Sequence, residues 1–292
     1  MTATIIDGKA IGARMLDATS AEAAMLANAG WAPRLVSISV GDVAAAELYV
    51  RNQSSNAARA GVAFEARNYA ADISLEQLIG VLHGLNADPR VNGIIIQRPL
   101  PAHIPVKALQ RAVHPLKDVE GMHPASIGNI VYNDMTLGPC TAVAAVEILK
   151  SLPLTIEGLD VTVIGHSEIV GKPIAFLMMG LGATVTVCHK MTHQMSMHSR
   201  RADAVFVAAG VPGLVRGEML KPGAALIDIG INRVEGKTVG DANFASCAET
   251  AGWITPVPGG VGPVTVAVLM KNAVLATRMQ MDHYRDAFAA AE

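Results

Sequence analysis

Charge is scarce in this 292-residue sequence. Lys, Arg, Asp and Glu make up 16% of it and hydrophobic residues 51%, against about 25% charged residues in a usual globular chain. That balance excludes intrinsic disorder, which needs low hydrophobicity and high net charge. A surplus of either sign is also missing: 23 basic residues against 25 acidic ones leave a net charge of −2. With no basic excess to neutralise phosphates, nucleic acid and anionic membranes are excluded as primary partners. No apolar run reaches the roughly 18 residues of a spanning helix. The longest candidate, Ala204–Val215, is short and interrupted by Gly210, Pro212 and Gly213. The opening residues lack a basic flank before an apolar core, so no secretory leader is expected. Cysteine is limited to Cys140, Cys188 and Cys247, odd in number and far apart, which predicts a reducing, cytoplasmic setting without a disulfide frame. Aromatics are only 4%. Ala, Val, Ile, Leu and the 14 Met residues must therefore fill the core, with apolar surface left over for an oligomer interface.

What is present alternates. Short β-branched runs with little charge read as strands buried on both faces: Arg34–Val40, Gly93–Gln97, Asp160–Gly165, Thr184–Cys188, Ala204–Ala208 and Ala225–Ile229. Helical periodicity separates them at Ala44–Ala60, Leu75–Asn86, Thr141–Leu152 and Lys172–Leu181. The length predicts two domains, and strand–helix alternation predicts an α/β fold with parallel sheets. The expected cut lies near residue 140. Residues 1–140 form the first domain and 141–263 a nucleotide-binding half. A terminal helix, 264–292, packs back onto the first domain, and a cleft lies between the two.

Three strand ends in the second half carry ligand chemistry. After Asp160–Ile164 comes Gly165-His166-Ser167, then Val170-Gly171-Lys172-Pro173. Gly165 lets the chain leave the strand in a tight turn, Ser167 can cap and donate a hydroxyl, and Gly171 permits close helix–strand packing. The helix start then offers free N–H groups to a pyrophosphate. The next strand ends in His189-Lys190 with no acid. An acid there would bond the ribose 2′-hydroxyl of NAD, whereas a base suits the 2′-phosphate of NADP, so NADP is favoured over NAD. Ala208-Ala209-Gly210 and Asp228-Ile229-Gly230-Ile231-Asn232 end the following strands. His189, His193 and His198 match no closed metal set, so no metal is expected, and the segment reads as a mobile loop.

The first half offers Tyr49 and Gln53, four apart on one helix face. It also offers Gln97-Arg98-Pro99 directly after an apolar strand, and Lys117-Asp118-Val119-Glu120. A Pro- and Gly-dense loop, Pro258-Gly259-Gly260-Val261-Gly262-Pro263, follows near the end. Such loops let backbone approach a flat ligand closely.

Together these segments resemble the folate enzymes with methylenetetrahydrofolate dehydrogenase and methenyltetrahydrofolate cyclohydrolase activities. The resemblance runs from Ile6-Asp7-Gly8-Lys9 to the terminal helix. Its most specific pieces are Pro258–Pro263, Lys117-Asp118-Val119, Ile169-Val170-Gly171 with Pro173, and Asp228–Arg233. It implies a homodimeric enzyme of one-carbon metabolism acting on a tetrahydrofolate derivative. The pterin would meet Tyr49, Gln97, Asp118, Glu120 and Pro258 to Val261. NADP would meet Gly165, His166, Ser167, Val170, Gly171, Pro173, Lys190, Ala209, Gly210 and Ile231. The catalytic residues it implies are Tyr49, Gln53, Gln97 and Glu120.

The chain departs from that family on the folate side. Gln53 stands where the family's catalytic lysine belongs, and a carboxamide has no usable pKa near neutrality. Glu120 replaces the pterin-binding aspartate. Ala46, Arg98, Ser126 and Asn129 stand where serine, leucine, asparagine and arginine are usual. The expectation is retained hydride transfer with weak or lost cyclohydrolase. Three alternatives stay open: the ordinary bifunctional activity, a dehydrogenase for another reduced pterin, and a non-catalytic folate- or NADP-binding paralogue.

Overall fold

The structure is a computed structural model that describes residues 2–41, 44–134 and 136–289, with only the backbone described for 44–49 and 286–289. The chain forms two compact α/β units. One comprises residues 14–128, 136–138 and 269–292; the other comprises 1–13, 129–135 and 139–268. The elements in chain order are β1 (Thr4–Ile5), α1 (Gly8–Asn28), β2 (Arg34–Val40), α2 (Ala44–Arg59), β3 (Ala63–Tyr69), α3 (Leu75–Ala87) and β4 (Gly93–Ile96). Next come α4 (Val106–Ala112), α5 (Pro124–Val131), α6 (Cys140–Lys150), β5 (Asp160–Ile164), α7 (Gly171–Gly180), β6 (Thr184–Cys188) and α8 (Met195–Ser199). The last are β7 (Ala204–Val207), β8 (Ala225–Asp228), β9 (Asn232–Val234), β10 (Lys237–Val239), α9 (Phe244–Thr250), β11 (Trp253–Ile254) and α10 (Val261–Ala289).

The unit of residues 14–128 is built on a parallel sheet ordered β3-β2-β4. Central β2 is buried almost throughout, as its run of β-branched and apolar residues requires. Edge strand β3 alternates charge instead, with Glu65 bridging Arg34 and Arg67. That charge is why β3 does not stand out among the low-charge runs of the sequence. Beneath the sheet, Leu78, Leu82 and Leu85 of α3 pack with Val36, Ile38, Ile94 and Ile96. Ser74 and Gln77 close a capping box at the start of α3. From α10, Asn272 donates to the carbonyls of Val119 (2.9 Å) and Gly138 (3.2 Å). Gln280 donates to those of Asn92 (2.8 Å) and Leu116 (2.9 Å). These buried amides hold the segment from Leu116 to Glu120 beside β4.

The other unit carries an all-parallel sheet ordered β1-β11-β8-β7-β5-β6. From β5 the chain steps outward to β6, then returns to β7 on the opposite flank of β5. The strand order therefore reverses between β5 and β7, the position where such sheets bind ligands at their carboxyl ends. Ile164, Val205, Val207, Leu226 and Ile254 fill its core.

Several expectations need correction. Residues 1–13 group with the nucleotide-side unit, because β1 extends the six-stranded sheet beside β11. A Cβ at Gly8 would also fall on the carbonyl of Gly260. The segment read as a mobile loop contains α8, tied down by Thr162 Oγ1 donating to the carbonyl of His198 (3.1 Å). The β9–β10 hairpin was not anticipated. Its two-residue turn is Glu235-Gly236, both at positive φ, without the Asn-Gly or Asp-Gly pair that usually marks it. The three cysteines are buried and form no disulfide among the described residues.

Candidate active site

At the carboxyl end of β4 the chain turns through Gln97 and a cis Arg98–Pro99 bond. Gln97 is 8% exposed. Its amide donates to Ser37 Oγ on β2 (2.9 Å) and to Gln53 Oε1 on α2 (2.6 Å). Both hydrogens of that amide are thus committed, and its Oε1 remains as an acceptor. The side chains of Tyr49 and Ala46, also on α2, lie outside the described residues.

Glu120 reaches the same strand end. Its Oε2 accepts from the backbone N–H of Ile96 (3.0 Å), an edge donor that β4 would otherwise leave unpaired. Burial pushes the Glu120 carboxyl up to about 7. The nearby charge of Asp118 pushes the same way, while the Ile96 N–H and the Arg98 charge oppose it. Asp118, expected at the substrate, is instead committed to its own loop. Oδ1 accepts from Met122 N–H (3.0 Å), and Oδ2 accepts from His123 N–H and Ser126 Oγ (both 2.7 Å). Ser126, in the first turn of α5, thereby ties that helix to Asp118. Lys117 is buried, with its ammonium on the carbonyls of Leu85 (2.9 Å) and Asp88 (2.7 Å), and burial lowers its pKa.

The remaining substrate candidates belong to the other unit. A cis Val257–Pro258 bond opens the loop, Gly260 N–H donates to the carbonyl of Pro256 (2.9 Å), and α10 begins at Val261. The candidates are therefore shared out: Gln53, Gln97, Asp118 and Glu120 on one unit, and Pro258, Gly259, Gly260 and Val261 on the other.

The nucleotide candidates gather at the carboxyl ends of β5, β6, β7 and β8. Gly165 has φ +110°, and a Cβ there would fall on the carbonyl of Ala208. A Cβ at Gly171 would fall on the carbonyl of Gly165. The two glycines bring β5, α7 and the turn after β7 into backbone contact, which leaves the close approach a dinucleotide pyrophosphate requires. Ser167 Oγ accepts from Val170 N–H (3.2 Å), and α7 begins one residue later. Pro173 is buried in the first turn of α7. The His166 and His189 rings lie 4.7 Å apart, and Lys190 beside them is exposed. Ala209, Gly210 and Ile231 are exposed at the ends of β7 and β8.

Sequence reasoning missed the groups beneath these turns. Asp241, wholly buried, accepts from Ala209 and Gly210 N–H. Asp228 accepts from the N–H groups of Gly230, Asp241 and Ala242, and burial pushes its carboxyl up to about 6. A lone acid after a hairpin carries no spacing signal, so only the fold exposes Asp241. Among the described residues no group of three or more His, Cys, Asp or Glu is placed to hold a metal. None of their helices is long and apolar enough to cross a membrane.

Residues 6–120 match the tetrahydrofolate dehydrogenase/cyclohydrolase catalytic domain. Residues 139–281 match the NAD(P)-binding domain of the same family. The chain is 56% identical over 292 residues to bifunctional protein FolD 2 of Mesorhizobium japonicum, covering 98% of this chain and 95% of that one. It is 58% identical over 282 residues to bifunctional protein FolD of Rhodobacter capsulatus, covering 95% and 94%. Among solved structures it resembles the FolD methylenetetrahydrofolate dehydrogenase/cyclohydrolase of Campylobacter jejuni (TM-score 0.92, 37% identity, 94% of this chain and 99% of that one). It also resembles the Trypanosoma brucei enzyme complexed with NADP and an inhibitor (TM-score 0.89, 35% identity, 96% and 99%).

Proposed function

Because the chain belongs to the tetrahydrofolate dehydrogenase/cyclohydrolase family, we propose that it oxidises 5,10-methylenetetrahydrofolate to 5,10-methenyltetrahydrofolate with NADP, its cyclohydrolase activity being weak or lost. The observation that carries this reading is the hydrogen bond between Gln53 and Gln97 (2.6 Å). Two carboxamides meet where the family pattern has a lysine beside a glutamine, and neither takes up or releases a proton near neutrality.

The two reactions make different demands on such a site. When bound, NADP accepts a hydride from the one-carbon bridge between folate N5 and N10. For that step the chain needs to hold and orient ligands, not to move a proton. Gln97 Oε1 and the Gln53 carboxamide line the reacting carbon, Tyr49 shapes the folate site and Glu120 anchors the pterin. The hydrolytic step adds water to the methenyl carbon, takes a proton from that water and returns one to N5 as the ring opens. It needs an acid–base group, and Gln53 supplies none.

On the nucleotide side, Gly165 and Gly171 clear the pyrophosphate approach, and Lys190 with His166 receives the 2′-phosphate. Lys190→Ala should weaken NADP binding and leave NAD binding nearly unchanged, as two titrations would show; equal weakening of both contradicts the assignment.

The direct test of the dehydrogenase is NADPH formation from purified protein, 5,10-methylenetetrahydrofolate and NADP. Formation supports the reading, and none would leave a non-catalytic paralogue. Activity only on a different pterin carrier would redirect the substrate. A second reading, full bifunctional activity, is favoured by the names of relatives at 56–58% identity. It would need another proton acceptor in place of the lysine.

A further inference from the structure

Asp241 lies two residues after the end of β10 and is 0% exposed. Its carboxylate is saturated by groups from two other strand ends. Oδ2 accepts from Ala209 N–H (2.6 Å) and Gly210 N–H (2.8 Å) in the turn after β7. Oδ1 accepts from Asn232 Nδ2 (2.8 Å) at the start of β9. Asp228 extends the frame. Its Oδ1 accepts from Gly230 N–H and Asp241 N–H (both 3.0 Å), its Oδ2 accepts from Ala242 N–H (2.9 Å), and its own N–H donates to Thr255 Oγ1 (2.7 Å). The packing has no slack, since a Cβ at Gly230 would come within 2.6 Å of the Asp241 backbone nitrogen.

This arrangement decides what the turn after β7 offers a ligand. The Ala209 and Gly210 N–H groups are both spent on Asp241, so neither is left to bond a ligand. Ala209, Gly210 and Ile231 are exposed above a buried carboxylate that is bonded to the turn and to the residue after Ile231. Charge-assisted hydrogen bonds of this kind are stronger and more directional than neutral ones.

We infer that Asp241 is the positioning residue of the dinucleotide site: it fixes the two segments, Ala208–Gly210 and Gly230–Asn232, that carry the cofactor-facing residues. The inference rests on the reading that this unit binds NADP. It differs from a general stabilising role because the Asp241 side chain bonds to strand ends of the nucleotide-side unit. The affinity for NADPH should therefore fall while that for tetrahydrofolate does not.

The experiment titrates NADPH by its fluorescence, and tetrahydrofolate by calorimetry, into wild type, Asp241→Ala and Asp241→Asn. Asp241→Ala removes both acceptors and should raise the Kd for NADPH by about tenfold or more, leaving that for tetrahydrofolate within about twofold. Asp241→Asn keeps the shape and one acceptor oxygen and should fall between wild type and Asp241→Ala. If Asp241→Ala does not fold, Asp241→Asn carries the test alone, with a selective rise in the NADPH Kd expected. An unchanged NADPH Kd, or equal losses for both ligands, overturns the inference. A wild type that binds no NADPH overturns the dinucleotide reading itself, and this inference with it.

Discussion

At the scale of single residues, the proposed chemistry turns on Gln53 and Glu120. Gln53 sets a carboxamide against Gln97 (2.6 Å), and Glu120 brings a carboxyl to the N–H of Ile96 at the same strand end. Burial holds the Glu120 carboxyl near 7, above the usual carboxylate range. A carboxyl whose pKa is raised on folding favours the folded state while protonated. Its contribution is complete below about 4.5, the unfolded value, and is lost as pH rises through about 7. Glu120→Gln mimics the neutral form and keeps an acceptor for Ile96 N–H. Its Tm should therefore gain on that of wild type between pH 5 and pH 8 in thermal denaturation; a constant gap would contradict the shift. The same ionisation acts on binding. In the proposed site the pterin's N–H donors meet the Glu120 carboxylate, so the wild-type KM for folate should fall as pH rises through 7, and in Glu120→Gln it should not. Gln53 was legible in the sequence because a family pattern marks its position. The commitment of Asp118 to Met122, His123 and Ser126 was not, because those bonds depend on how the loop closes.

At the scale of elements, glycines set how closely β5, α7 and the turn after β7 approach, and two of them act by different physics. At Gly171 a Cβ would collide with the carbonyl of Gly165, so Gly171→Ala must push α7 away from β5, at a cost of about 1–3 kcal/mol. At Gly210 nothing lies within 4 Å of the added carbon, but φ is +68°. Gly210→Ala should therefore cost only about 1 kcal/mol, through backbone strain. Denaturant unfolding separates the two, with the larger loss expected for Gly171→Ala; equal losses would contradict the distinction. The buried strands β2, β4, β5, β7 and β8 were legible because burial on both faces demands apolar β-branched runs; β6 has the same kind of run but lies at the sheet edge, half-exposed. Edge strand β3 and the β9–β10 hairpin were not legible. The first carries its charges in cross-strand pairs, and the second turns on Glu235-Gly236.

At the scale of the molecule, low charge and few aromatics were read as a core of small aliphatic side chains with apolar surface to spare. Both units have such cores. Val131, Tyr132, Val234 and Phe244 are exposed on the single chain. The expected homodimer would give a solution mass of twice 30.4 kDa by light scattering; a mass of 30.4 kDa would contradict it. The α/β class and the segment carrying each candidate were readable from alternation and motif. The assignment of residues 1–13 to the nucleotide-side unit was not, since a two-residue strand leaves no periodicity to read. The central claim concerns the whole reaction sequence: oxidation is kept and hydrolysis is not. It is tested most directly by supplying purified 5,10-methenyltetrahydrofolate and following its disappearance with wild type and with Gln53→Lys. The wild-type rate should lie close to the uncatalysed one, and Gln53→Lys should raise it by about 10²-fold, as a restored acid–base group would. Hydrolysis by the wild type as fast as by a bifunctional relative would contradict the account.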